Sequence, residues 1–246
     1  MCIRDSINNN FTLHGGWRTG VSVLVESYGY DERLYANYAL LDGAELKPFV
    51  GVPRLPNLDY VFTLNTPRVG GVSANVFAIW GRDENFFEWS SADILYATLG
   101  VQWRPTERLR VDGNYQVQSF ERRSDGSTVG IRRIPRIKME YQATRAVFVR
   151  WVGEYDSNYQ DSLRDDSRTE LPIVLIDRAT GAYERALGFR RASFRQDVLF
   201  SYQPNPGTVI FAGYGSTLED RNQRTDETLR RIRDGFFLKV SYLFRL

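Results

Sequence analysis

Few side chains in these 246 residues are suited to chemistry, and that scarcity sets the first limits. The chain holds one histidine, His14, and one cysteine, Cys2. A His-based triad or a His-cluster metal site therefore has a single starting residue, and a disulfide scaffold or a cysteine zinc site is excluded. Asp156, Asn158 and Asp161 stand at a calcium-loop-like spacing, but the glycine and the terminal glutamate of an EF-hand loop are missing. That pattern reads better as a solvated loop. Asp165-Asp166 with Glu170 could set paired carboxylates on an outer rim, as in a hydrolase. Such a site also needs a positioned base or nucleophile, and none is evident. Gly70-Gly71 lacks the lysine and following helix of a phosphate loop. From these groups neither enzyme activity nor a cofactor is expected.

The chemical feature that stands out is arginine. Lys+Arg totals 32, and only Lys47, Lys138 and Lys239 are lysines. Arg108, Arg110, Arg132, Arg136, Arg191 and Arg195 fall on the polar sides of segments that alternate in polarity. A surface of guanidinium groups would select anionic solutes or glycans, because the planar fork pairs bidentately with carboxylate or phosphate. The competing reading is a ladder of internal ion pairs with Asp112, Glu140, Glu154 and Asp197. Near-balance of charge favours it, since Asp+Glu is 30 and the net charge is +2. The same balance gives no reason to expect a nucleic-acid partner.

These arginines must be positioned by strands, because the chain alternates with period two. Phe236, Leu238, Val240, Tyr242, Phe244 and Leu246 are apolar at every even position. Leu109, Val111, Gly113, Tyr115 and Val117 face away from Arg108, Arg110, Asp112, Asn114, Gln116 and Gln118. The same split separates Ile131, Ile137, Met139 and Tyr141 from Arg132, Arg136, Lys138 and Glu140, and Phe194, Val198, Phe200 and Tyr202 from Arg191, Arg195 and Asp197. Leu95 to Trp103 and Val72 to Trp80 carry further stripes. About ten strands are expected, over 17–31, 58–66, 70–82, 86–103, 108–121, 128–142, 145–157, 190–203, 207–217 and 234–246. Phe11 to Val25 could be one long strand or a hairpin at Gly15-Gly16.

Connections alternate between short and long. Thr66-Pro67, Pro105 to Glu107, Ala143-Thr144 and Pro204 to Gly207 are short; 31–57, 82–86, 121–128, 158–189 and 217–233 are longer and charged. Tight turns at one end and long loops at the other characterise outer-membrane β-barrels. No run is long and apolar enough for a transmembrane helix, since the longest charge-free stretch, Val198 to Leu218, is broken by Pro204 and Pro206. The fold expected is all-β: an antiparallel up-and-down transmembrane barrel, in which closure satisfies backbone groups that hydrocarbon cannot. Aromatics make up 14% of the chain, enough for two interfacial girdles. Tyr28, Tyr30, Trp80, Phe86, Phe87, Trp89, Phe120, Tyr155 and Phe236 would lie at the outer one, and Trp103, Tyr141, Tyr202, Tyr242 and Phe244 at the inner. A soluble β-sandwich would place these rings in a dry core instead.

Gly235, Val240, Tyr242, Phe244 and Leu246 match a C-terminal barrel-assembly signal, with Leu246 where phenylalanine is usual. The expected partners are outer-membrane lipid and lipopolysaccharide, the barrel-assembly machinery, and glycans as solutes. Met1 to Ser6 reads as a translated sequencing adapter, which leaves 7–246 as the C-terminal part of one barrel domain. Trp103-Arg104-Pro105-Thr106, Tyr141-Gln142-Ala143-Thr144-Arg145, Trp80 to Trp89, Arg164-Asp165-Asp166, Tyr214-Gly215-Ser216-Thr217 and Asp234 to Leu246 resemble an uncharacterised bacterial family. Its members join an N-terminal domain similar to carbohydrate-binding module family 9 to a large outer-membrane barrel. The resemblance implies outer-membrane localisation in a Gram-negative bacterium, and a role as a solute conduit or as an anchor for that domain. It supplies no catalytic residues.

Overall fold

The computed structural model describes residues 3–220 and 229–242. Two antiparallel sheets account for its strands. The large sheet has eleven, in the order β1 (Ile3–Thr12), β2 (Arg18–Tyr28), β5 (Leu55–Asn65), β6 (Val72–Asn85), β7 (Ser90–Trp103), β8 (Leu109–Arg122), β9 (Thr128–Gln142), β10 (Val147–Gln160), β13 (Phe189–Asn205), β14 (Thr208–Glu219) and β15 (Arg230–Tyr242). Each pairs only with its neighbours in that list, and among the described residues β1 and β15 are the sheet's two edges. The small sheet runs β12 (Tyr183–Arg185), β11 (Ile173–Ile176), β3 (Tyr38–Asp42), β4 (Glu45–Pro48).

Period two decides the large sheet's faces. Trp103, Val111, Met139, Trp151, Val198, Tyr214 and Phe236 lie in one continuous row of paired residues on one face. The neighbouring row on the other face holds Gln102, Asp112, Lys138, Val152, Asp197, Gly215 and Gly235. The apolar face is uncovered from edge to edge: Trp103 is 46% exposed, Ile137 45% and Leu238 72%. Folded proteins in water seldom leave so large a contiguous apolar surface open. The dry interior that a soluble sandwich would need is therefore missing from this face.

At one end of the large sheet the turns are all short, at 13–17, 66–71, 104–108, 143–146 and 206–207. Side-chain hydroxyls close two of them: Thr106 Oγ1 accepts from the Arg108 and Leu109 N–H groups, and Thr144 Oγ1 from those of Ala146 and Val147. Gly15 and Gly16 both have positive φ, at 82° and 87°, so the segment from Phe11 to Val25 is a hairpin. Two connections at the opposite end, 86–89 and 123–127, fall within the same range of length. The asymmetry in length is carried by 29–54 and 161–188.

Those two long connections are not open loops. They contribute β3, β4, β11 and β12, which form a cap at the long-loop end. Under it lies the molecule's hydrophobic core, built from Tyr30, Tyr35, Leu40, Phe49, Leu55, Trp89, Ile94, Phe120, Val129 and Ile173. Edge-to-face pairs such as Tyr30–Trp89 at 5.3 Å and Tyr35–Phe49 at 5.4 Å add about 0.5–1.5 kcal/mol each beyond area burial. Ile94 and Phe120 are cross-strand partners on the face that is polar elsewhere, so the cap sits on the polar side of the sheet. This corrects the expected outer girdle. Tyr30, Trp89 and Phe120 pack in the cap core, while Trp80 stays on the open apolar face, stacked on Tyr60 at 5.9 Å. Sequence alternation cannot separate these cases, since a ring at a strand end can turn to lipid or to a cap.

A buried ionic cluster locks the cap. Arg122 and Glu88 have fully buried side chains. Arg122 Nη2 donates to Glu88 Oε1 at 2.6 Å, its Nη1 to Asp161 Oδ2 at 2.7 Å and to Ser127 Oγ at 3.0 Å, and Nη2 also reaches the Ser162 carbonyl at 3.0 Å. Three separate connections are thereby tied to one guanidinium. Asn85 shapes the hairpin that presents Glu88: its Oδ1 accepts from the Phe87 and Glu88 N–H groups, and Trp89 ends the turn with φ of 53°.

Candidate functional site

The polar face of the large sheet gathers the predicted arginines, though not into one site. A groove of about 560 Å³ crosses β6 to β10. Arg110, Arg132 and Arg136 line it with Asp112, Lys138, Glu154 and Asp156. Arg191 belongs to an adjoining groove of about 400 Å³, shared with Asp156, Asn158 and Glu219. Arg195 and Asp197 line a third, of about 430 Å³, together with Arg233. Arg108 lies in the turn before β8, where it meets Arg110 and Glu140 at the short-turn end.

Cross-strand register explains the pairing. Asp112 is opposite Lys138, Arg136 is opposite Glu154, and Glu154 is opposite Arg195 in turn. Lys138 Nζ contacts Asp112 at 3.1 Å and Glu140 at 3.2 Å, and Arg110 Nε donates to Asp112 Oδ1 at 3.0 Å. Arg132 makes a two-pronged pair with Asp156, at 3.0 and 2.6 Å. Arg136 is the loose member, since its nearest carboxylate, Glu154, is 3.8 Å away. The predicted ladder thus exists in the middle of the sheet, with Asp156 as an added acid. Among the described residues no ion pair forms at Arg108, Arg191, Arg195 or Asp197. Exposed pairs of this kind are worth about 0–1 kcal/mol, so they shape the surface more than they stabilise it.

The opposite wall of the groove across β6 to β10 is not legible as a site in the sequence. Asn75, Gln102, Asn114 and Gln116 project from β6, β7 and β8, and their side-chain amides make no hydrogen bond among the described residues. Gly100 makes room for one of them. A Cβ there would lie 2.2 Å from Asn75 Oδ1, so the Asn75 amide lies across the glycine. The signal was present as four amides in the polar phase, but amides are common on solvated faces.

The other candidate residues are placed as follows. Asp165 is buried, and its carboxylate accepts from Ser167 Oγ and Thr169 Oγ1, both at 2.8 Å, within its own turn. Asp166 accepts from Ser124 Oγ, and Glu170 pairs with Arg164 at 3.0 Å. The three acids thus hold a loop together. Asp156 and Asp161 are claimed by Arg132 and Arg122. Among the described residues no group of three His, Cys, Asp or Glu is arranged to hold a metal. His14 is exposed in the β1–β2 turn, and Gly70 and Gly71 form the β5–β6 turn with φ of 57° and 81°. Of the assembly-signal residues, Gly235 pairs with Gly215, Val240 with Ile210 and Tyr242 with Thr208. Phe244, Leu246 and Cys2 lie outside the described residues.

Charge states in the cap follow burial and pairing. Burial pushes the Glu88 carboxyl up, against the pull of Arg122 and the Arg164 N–H. Arg164 and Ser127 hold the Asp125 carboxyl well below the usual carboxylate range.

No match is found among known protein families, curated proteins or solved structures. The chemistry of the two faces therefore carries the functional reading.

Proposed function

We propose that this chain is part of the wall of an outer-membrane β-barrel in a Gram-negative bacterium, and that the barrel conducts small polar or glycan-derived solutes. The observation that carries the reading is the uncovered apolar face of an eleven-stranded meander backed by a polar, grooved face. Its dimensions suit a membrane. The stripe from Leu95 to Trp103 is roughly 27 Å long at about 3.4 Å per residue, or roughly 21 Å along the normal at a strand tilt of about 40°. Barrel belts of this kind are about 25 Å tall. Trp103, Tyr141, Tyr202 and Tyr242 then fall near one interface, where their amphipathic rings suit headgroup depth.

Eleven strands in an antiparallel meander leave β1 and β15 pointing the same way. They cannot pair with each other in an antiparallel ladder, so in the proposed barrel an odd number of further strands stands between them. β15, an edge of the sheet among the described residues, would offer its free side to the assembly machinery, a form of strand addition. Lipopolysaccharide would surround the charged long-loop end. No step of bond chemistry belongs to the proposal.

A second reading, a barrel that anchors a carbohydrate-binding-like domain without transport, is favoured by the central ion-pair ladder. Membrane fractionation of the full-length product with heat-modifiable electrophoretic migration tests the barrel itself, and its recovery in the cytosolic fraction refutes it. Planar-bilayer conductance separates the two readings. The conduit passes current that changes in the Arg132→Ala, Arg136→Ala double variant. An anchor passes none, and the same variant alters only stability.

A further inference from the structure

We infer that the groove across β6 to β10 on the polar face is a binding site for a sugar acid, meaning a polyhydroxylated ring or chain that bears one carboxylate. The inference rests on the conduit reading and names the solute class it would select.

The groove's volume, about 560 Å³, falls within the roughly 300–1,000 Å³ of small-molecule sites. Its two walls differ in chemistry. On β6 to β8, Asn75, Gln102, Asn114 and Gln116 offer side-chain amides that no described residue engages. Each amide carries donors and an acceptor, which matches hydroxyl groups that both donate and accept. Gly100 leaves room for the Asn75 amide, which lies across it on the groove floor. Of the four cations lining the groove, Arg110, Arg132 and Lys138 are tied up by carboxylates at 3.1 Å or less, and Arg136 is not. Arg136 stands 3.8 Å from Glu154, and its side chain is 52% exposed. Its planar fork is free to take a carboxylate bidentately.

The local charge limits the anion. Arg110, Arg132, Arg136 and Lys138 face Asp112, Glu154 and Asp156, and Lys138 also meets Glu140, so the charges balance and only the Arg136 fork is loosely held. A monoanion engages that single fork. A doubly charged phosphate would bring its second charge against the three carboxylates, and a neutral sugar would leave the Arg136 fork unused.

The test uses the full-length protein that carries this chain, folded in detergent micelles, with strand content checked by circular dichroism. Binding of sodium galacturonate, glucose and inorganic phosphate is measured by isothermal titration. Galacturonate should bind about tenfold or more tighter than the other two, the worth of one charge-assisted pair. Arg136→Ala should bring galacturonate down to the level of glucose. Arg136→Lys, which keeps the charge and loses the fork, should retain part of the preference and serves if the alanine variant fails to fold. Asn114→Ala should weaken both sugars together. Equal affinity for the three probes, no binding of galacturonate, tighter binding of phosphate, or an unchanged preference in folded Arg136 variants overturns the inference. Membrane fractionation reads the conduit proposal separately. A chain that inserts and conducts yet shows no galacturonate preference defeats only the sugar-acid site. A chain that never inserts yet shows the preference defeats only the conduit.

Discussion

Removing Arg122 should open the cap and leave the large sheet standing. In the folded protein this guanidinium reaches Glu88, Asp161, Ser127 and the Ser162 carbonyl. In Arg122→Ala, Glu88 keeps the Arg164 N–H at 3.0 Å and the Asn85 amide at 3.2 Å, but loses its counter-charge inside a fully buried site. Breaking one side of a buried pair costs about 3–5 kcal/mol. Asp161 adds little, because its side chain is 39% exposed and water can replace the lost partner. The space vacated by the arginine also admits water, which argues for the low end, about 3 kcal/mol. At about 1.4 kcal/mol per decade, that is about a hundredfold rise in the cap-opening equilibrium. Native-state hydrogen exchange at the Ile173, Val174 and Leu40 amides reads that equilibrium directly, and Trp89 fluorescence reports loss of the core. The variant carries a pH signature as well. With Arg122 gone, burial acts on Glu88 with less opposition and its folded pKa rises further above the unfolded value. A carboxyl raised on folding costs stability as pH climbs through that window, so the variant's cap should be tighter near pH 5 than near pH 8. Exchange in the cap that matches the unsubstituted protein, or an equal loss of protection in β7 and β8, would refute the reasoning.

Other expectations follow from the same geometry. Leu99→Arg, at the middle of the open apolar face, should cost about 2–4 kcal/mol of folding stability in lipid vesicles. Thr98→Arg, its neighbour on the polar face, should fold nearly as well, and equal penalties at the two sites would defeat the face assignment. Asp125 is held low by Arg164 and Ser127, so its contribution is present above the ordinary carboxylate pKa and fades as pH falls. Protease resistance of the 123–127 turn should decline below about pH 4 in the unsubstituted protein and stay flat with pH in Asp125→Asn. Gly71→Ala should destabilise the β5–β6 hairpin by about 1–3 kcal/mol, since φ is 81° and a Cβ would lie 2.7 Å from the Arg104 carbonyl oxygen. Urea titration of the refolded chain checks this, and an unshifted midpoint counts against it.

Residues 95–103, 109–118 and 131–142 show how much was legible in the chain alone. Strict alternation specifies a strand and its two faces at once, because a side chain two residues on must return to the same side of a pleated sheet. The eleven-stranded meander and the gathering of Arg110, Arg132 and Arg136 on one face follow from that local rule and from antiparallel register. The cap does not. Strands β3, β4, β11 and β12 are three to five residues long and come from connections far apart in sequence, so neither has a periodic signal of useful length. Glu88, Arg122 and Asp161 meet only because the sheet brings 85–90, 122–128 and 160–166 to the same end. Likewise the division of the cations into paired residues and a loosely held Arg136 depends on side-chain separations, 2.6 Å for Arg132–Asp156 against 3.8 Å for Arg136–Glu154. Alternation is a property of adjacent residues and survives in the linear order. Pairing across connections is a property of the folded sheet, and only the tertiary structure decides it.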